Sequence, residues 1–234
     1  MAVYRSFARM LRMAMKPFAS LDAIPDLDDT PEPVVFVSRH RNLRGPIFTL
    51  LHLPREVRPW AYSVFCDSKS CYEHYMKFTF GERLAWNPLL AKTLARLLSF
   101  VVPRLISSMG GIPVYRKSVQ VKKTFSQSLE ALRRKESLII YPDIDYTSTS
   151  NEPGAIYSGF LLIGRMYRKS TGKDLSFVPL DVDMKRRALL MGKPVVFEGK
   201  RNFDKERARV ASALLGELTN LGAIITGLDQ EVGE

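Results

Sequence analysis

The sequence predicts an α/β domain: a mixed, mostly parallel sheet flanked by helices, with an amphipathic helix at the N-terminus. Three observations carry this. Val34-Val-Phe-Val37 and Ser137-Leu-Ile-Ile-Tyr141 are apolar runs of β-forming residues, the pattern of strands covered on both faces. Segments of helical period alternate with these strands, as in βαβ units. Between Phe177 and Phe197 three short β-type segments succeed one another too closely for helical crossovers, which makes the sheet mixed.

Each element has a local reason. Residues 1–16 place Arg5, Arg9, Arg12 and Lys16 at helical spacing, with Val3, Phe7, Met10, Leu11, Ala14 and Phe18 on the other sides. Such a helix either lies in a lipid headgroup layer or covers the core. Residues 21–33 are acidic and proline-rich and read as a connector, so the chain divides into 1–33 and a domain over 34–234. The first strand, Val34 to Val37, leads into Ser38-Arg-His-Arg-Asn-Leu-Arg-Gly45, and Pro46 suits the first turn of a helix through Leu51. Trp60 to Cys66 reads as a second strand. Asn87 to Met109 reads as a long helix stopped by Gly110-Gly111. Ile112 to Tyr115 is then a strand, Thr124 to Arg134 a helix, and Ser137 to Tyr141 a strand ended by Pro142. Asp143 to Gly154 is a polar loop and Tyr157 to Tyr167 a helix. Strands come next at Phe177 to Val182, Ala188 to Met191 and Val195 to Phe197, and Asn202 caps a last helix to about Leu221. There is no internal repeat.

Composition narrows the function classes. With 46% hydrophobic and 25% charged residues over 234 positions, the chain is globular, not disordered. Its net charge is +11; residues 1–116 hold 16 Lys and Arg against 9 Asp and Glu, so the excess leans to the N-terminal half. That balance calls for an anionic partner: nucleic acid, an acidic membrane surface or an acidic substrate. The basic residues are spread among helices with no nucleic-acid-binding motif, which argues against nucleic acid. Cys66 and Cys71 lack zinc spacing and form no disulfide framework, as expected in a reducing cytoplasm. The most apolar stretch, Leu89 to Ile106, is broken by Lys92, Arg96, Pro103 and Arg104, so no segment is expected to span a bilayer. The interleaved basic residues of the N-terminus do not read as a signal peptide.

Three places can carry chemistry. His40 directly follows the first strand, flanked by Arg39, Arg41 and Arg44, which suits a general base beside an anion. His52 and His74 read as structural. In Leu138-Ile-Ile-Tyr-Pro-Asp-Ile-Asp-Tyr-Thr147, Asp143 and Asp145 at a strand end either clamp Mg²⁺ for phosphoryl transfer or shape a turn. In Gly110-Gly-Ile-Pro-Val-Tyr-Arg116-Lys117 the glycines permit a tight turn, and Arg116 and Lys117 either pair with phosphate or are solvated surface.

In this order the blocks resemble the glycerolipid acyltransferase family that includes 1-acylglycerol-3-phosphate acyltransferases. That family shows His-x-x-x-x-Asp, then Gly-x-Ile-Pro-Val-x-Arg, then Phe-Pro-Glu-Gly-Thr-Arg-Ser, then a Val-Pro block. Here the matching stretches are Ser38 to Gly45, Gly110 to Arg116, Tyr141 to Ser148 and Phe177-Val-Pro-Leu180, with Tyr157-Ser-Gly159 and Leu190-Met-Gly-Lys-Pro194 like further family elements. The second block is intact. In the first, Gly45 stands where the family has its aspartate; in the third, Asp143, Ile144, Asp145 and Tyr146 replace Glu, Gly, Thr and Arg. In a catalytic triad the loss of the acidic partner costs about 10⁴ in rate, so either Asp143, Asp145 or Asp67 supplies the carboxylate, or His40 works without one, or acyl transfer is lost.

The resemblance implies a cytoplasmic, peripheral membrane enzyme without a cofactor. It would move an acyl group from a thioester of coenzyme A or acyl carrier protein to a lysolipid or other phosphorylated acceptor. His40 would be the base and Asp143 its catalytic companion. Arg41, Arg44, Arg116 and Lys117 would hold the acceptor phosphate, with Asp145 and Tyr146 lining the acceptor site. An anionic membrane surface would be the partner, contacted by the N-terminal helix and by Asn87 to Met109. The alternatives are a catalytically silent lipid-binding relative, suggested by Gly45 and Tyr146, and a Mg²⁺-dependent phosphatase or transferase using Asp143 and Asp145.

Overall fold

A computed structural model of the chain describes residues 6–15, 20–83, 87–115, 118–145, 147–199 and 202–231. It has seven strands and seven α-helices among those residues, and three of the five described strand pairings are parallel, so the fold is α/β as expected. Its contacts divide the chain into two compact units, Met1–Leu11 with Arg58–Gln127, and Arg12–Val57 with Ser128–Glu234. The expected 34–234 domain is thus shared between them.

The larger unit is built on β1 (Val34–Ser38), which lies between two parallel partners. On one side β4 (Ser137–Ile140) pairs Val35 with Leu138 and Val37 with Ile140. On the other, β5 (Leu175–Asp183) pairs Val34 with Ser176 through Ser38 with Leu180. β6 (Ala188–Met191) and β7 (Val195–Phe197) both add to β5 in antiparallel sense, at its end and its beginning. Every residue of β1 and β4 is buried, which is why both read as unbroken apolar runs. Val34, Phe36, Ile139, Val178 and Leu180 form one face and pack with Leu53 and Phe48 from the region of α2 (Arg44–His52). On the opposite face Phe177 meets Phe160 at 5.8 Å, ahead of α6 (Leu162–Thr171).

The last helix, α7 (Phe203–Glu231), packs against β5 and β7. Asn202 caps it as expected, its Oδ1 accepting from the N–H groups of Asp204 and Lys205. It runs ten residues past the expected end, because Gly222 and Gly227 do not stop it. Gly222 is there for closeness: a Cβ would sit 2.1 Å from the carbonyl oxygen of Asn151. The expectation that no segment could span a bilayer is corrected here. From Phe203 to Gly227, α7 is long and apolar enough to cross a membrane by length and composition, although Val210, Leu214, Leu218, Leu221 and Ile225 turn one stripe of it into the protein interior.

The smaller unit contains the parallel pair β2 (Val57–Tyr62) and β3 (Ile112–Val114), with Trp60 opposite Ile112. β2 starts and ends earlier than expected, and Ser63–Cys66 is a 3₁₀ turn. Beyond that turn lie two elements that no sequence period announces: α3 (Ser68–His74), capped by Asp67, continues into a π-helical segment, Tyr75–Arg83. Next, α4 (Pro88–Ser108) fills the expected long helix, starting on an Asn87 cap, and it ends where Gly110, at φ 64°, turns the chain and Gly111 N–H returns to the carbonyl of Ile106. Helix α5 (Val121–Arg133) leads from this unit into the larger one.

At the N-terminus, α1 (Ser6–Met15) forms where the basic helix was expected. Arg12 does not project outward: it donates to the carbonyls of Leu51 and Leu53 and satisfies the C-terminal end of α2. Arg9, Met10 and Met13 are exposed. Arg5 and Lys16 lie outside the described residues.

Candidate functional site

Three adjacent parallel strands meet at one edge in the larger unit: β1 ends into Arg39 and His40, β4 ends into Tyr141 and Asp143, and β5 carries Asp181 alongside, two residues before its own end. In open α/β sheets this edge is where ligands bind. The sequence-predicted pair His40 and Asp143 meets here, but through the backbone of the histidine. The His40 N–H donates to Asp143 Oδ2 at 2.7 Å.

The imidazole has other neighbours. Its Nδ1 accepts from the Leu43 N–H at 3.2 Å, so a neutral ring in this turn carries its proton on Nε2. Tyr141 sits edge-on to it, with ring centres 6.1 Å apart, and the Tyr141 hydroxyl is fixed by Thr49 Oγ1 at 2.8 Å. The turn itself is strained. Arg41, Asn42 and Leu43 adopt φ of 45°, 51° and 75°, three consecutive left-handed residues without a glycine.

Two buried cations hold that turn in place. Arg41 makes a two-point ion pair with Asp181, Nε to Oδ1 and Nη2 to Oδ2, each at 2.9 Å, and its Nη1 donates to Asn151 Oδ1. Arg39 donates to the carbonyls of Ser150, Asn151 and Glu152 at 2.7–2.8 Å and reaches Asp181 at 3.5 Å. Burial pushes the Asp181 carboxyl up, and the two guanidiniums pull against that push. These arginines are therefore braces between the β1 turn and the loop after β4. Arg41 was expected to hold substrate phosphate; the structure turns it inward, because a buried Asp181 needs a partner. Sequence reasoning missed Asp181, although an aspartate near the end of an apolar strand is itself a signal that a buried cation must meet it.

Position 45 explains itself by closeness. A Cβ there would lie 1.7 Å from the Arg39 carbonyl oxygen, so the backbone leaves room for glycine alone. The three candidate replacements for a carboxylate each have a task. Asp67 caps α3 through Ser70 N–H. Asp145 accepts from the N–H and hydroxyl of Thr147, which hold its carboxyl below the usual range. Asp143 braces the His40 backbone, and burial pushes its carboxyl up against the opposing pull of that N–H and of Arg39.

A cavity of about 250 Å³ opens beside Asp143, lined by Arg39, Asp145, Ser148, Ser150 and Glu152 among others. Its wall is rich in carboxylate and hydroxyl, and the Arg39 guanidinium is already engaged, so it does not offer a phosphate cradle. No group of three or more His, Cys, Asp or Glu side chains among the described residues is placed to hold a metal ion. Arg44 is exposed at the start of α2. Arg116, Lys117 and Tyr146 lie outside the described residues.

The remaining sequence candidates are structural. His52 is buried and stacks on Phe48. His74 sits among Tyr62, Phe65, Tyr75 and Phe78, where burial lowers its pKa. Burial pushes the thiols of Cys66 and Cys71 up to about 11, which leaves them protonated and poorly nucleophilic. Compared with protein-family models, curated proteins and solved structures, the chain matches none.

Proposed function

We propose that the protein is a peripheral membrane acyltransferase, working on the cytoplasmic leaflet, that moves a fatty acyl group from a thioester donor to a lipid hydroxyl. The observation that carries this reading is the meeting of His40 and Asp143 at the C-terminal ends of the adjacent parallel strands β1 and β4. Both residues come from stretches with acyltransferase resemblance, the first and the third. In the reaction, His40 takes the proton of the acceptor hydroxyl as that oxygen attacks the thioester carbonyl, and the thiolate leaves. Asp143 acts as a positioning residue, fixing the backbone from which the imidazole extends.

The tautomer sets a condition. Transfer through Nε2 needs the neutral ring to hold its proton on Nδ1, so the Leu43 N–H must first give up that nitrogen. The strained left-handed residues of the turn make this the part of the site closest to rearrangement. Arg41 is committed to Asp181, so of the arginines that follow His40 it is the exposed Arg44 that is left for the acceptor phosphate.

A second reading, a lipid-binding relative without transfer, is favoured by the same Nδ1 hydrogen bond and by Gly45, which admits no carboxylate. The experiment is acyl transfer by the purified full chain, in EDTA and in parallel with added Mg²⁺, from a panel of coenzyme A and acyl carrier protein thioesters to lysolipids in vesicles. Turnover that disappears in His40→Ala supports the enzyme. Vesicle binding without turnover from any donor supports the binding relative, and turnover that requires Mg²⁺ removes both.

A further inference from the structure

The helix α4 is built inside out. Its fully buried positions are the small ones, Ala91, Ala95, Ser99 and Pro103, four apart along one stripe. Leu94 and Leu98 pack beside them on the core of the unit, but four other large apolar side chains point the other way: Leu89, Leu90, Leu97 and Phe100 are 56–78% exposed. At 100° per residue these four fall within about a third of the helix circumference, so they form one continuous face rather than scattered surface residues. A helix that only served the core of its unit would stop at the Leu94 and Leu98 face that meets Phe80 and Tyr75, and would not carry a second apolar face outward.

Charge says what covers this face. Arg104 is exposed on the same side, Arg96 beside it, and Lys92 is exposed farther round toward the buried stripe. Arg104 lies over the Phe100 ring, 3.7 Å from its centre, as a cation at the edge of an apolar surface does. The helix contains no acidic residue. More broadly, the chain from residue 83 to residue 129 carries eight Lys and Arg and no Asp or Glu. Two copies of this face would repel through these cations. An apolar stripe edged only by cations fits an anionic lipid leaflet.

We propose that the outer face of α4 is the membrane-docking surface, with Leu89, Leu90, Leu97 and Phe100 in the acyl–headgroup boundary and Lys92, Arg96 and Arg104 among anionic headgroups. This deepens the peripheral-membrane reading above and moves the anchor away from α1, whose Arg12 serves α2. It does not depend on transfer, because docking is read with no acyl donor present.

The test is cosedimentation of the full chain with vesicles of phosphatidylcholine alone or with added phosphatidylglycerol. The wild type is expected to bind the anionic vesicles and to be released by salt. Lys92→Gln/Arg96→Gln/Arg104→Gln weakens that binding by on the order of 10²-fold. Leu89→Ser/Leu90→Ser/Leu97→Ser/Phe100→Ser weakens it by more than about tenfold, while a circular dichroism spectrum like the wild type's confirms folding. If the apolar variant fails to fold, the charge variant decides, since its side chains are exposed. Binding to anionic vesicles unchanged in the folded variants overturns the proposal. A wild type that sediments as a dimer without lipid, and an apolar variant that is monomeric yet still binds vesicles, assigns the face to a second copy instead. Loss of transfer in His40→Ala bears only on the reaction, and loss of vesicle binding in the α4 variants bears only on docking.

Discussion

Residues 39 to 45 show how much of the site is decided by single side chains. Gly45 is not a weakened catalytic position but a packing requirement, since its Cα lies against the Arg39 carbonyl. Gly45→Ala is expected to cost about 3 kcal/mol or more in chemical denaturation, because the atom it strikes is backbone and cannot move aside. Gly45→Asp is worse and restores no activity. Asp143 gives a pH signature. Its carboxyl is raised in the fold by burial, so its contribution to stability is fully present below the unfolded pKa and is lost as pH rises through the folded one. Asp143→Asn keeps an acceptor for the His40 N–H and does not titrate. Melting temperatures of the two proteins are therefore expected to converge, and then favour the asparagine, as pH rises from acid toward neutral. A constant difference across that range would assign the titration to another group.

At the scale of elements, legibility depends on where each element's information is stored. β1, β4, β6 and β7 are legible because buried parallel or edge strands write their environment as short apolar runs closed by Pro, Arg or Gly. The cap at Asn202 is legible because capping is a local hydrogen bond. α3 and the π-helical segment are not, since Tyr72 to Phe80 mixes aromatic, charged and polar residues with no clean 3.6-residue period, and its order comes from rings packing around His74. The Arg39, Arg41 and Asp181 network is hidden for a different reason: its arginines and aspartate are 140 or more positions apart, and only the parallel β1–β5 register joins them. The start of α7 is legible in its cap, whereas its end is not, because Gly222 and Gly227 serve packing or simply continue the helix. Its buried stripe predicts that Leu214→Ala costs about 2–5 kcal/mol, as expected for a core position, whereas Ile224→Ala, on the exposed side, is within about 0.5 kcal/mol of wild type by urea unfolding.

Across the whole molecule, a net charge of +11, an acid-free basic stretch from residue 83 to residue 129 and a site at the carboxyl ends of parallel strands are consistent with one task at an anionic surface. In the proposed reading the charge draws the chain to the leaflet where lysolipid acceptors reside, and the strand ends supply His40 as the base. Its fold is an α/β architecture that supports many chemistries, so the function rests on His40 and its surroundings rather than on the sheet. The most direct test is therefore the rate of acyl transfer from a thioester donor to lysolipid in vesicles for the wild type and for folded His40→Ala. Measurable turnover is expected, falling by at least about 10²-fold on removal of the imidazole. A His40→Ala protein that transfers acyl groups at the wild-type rate contradicts the assignment of His40 as the base.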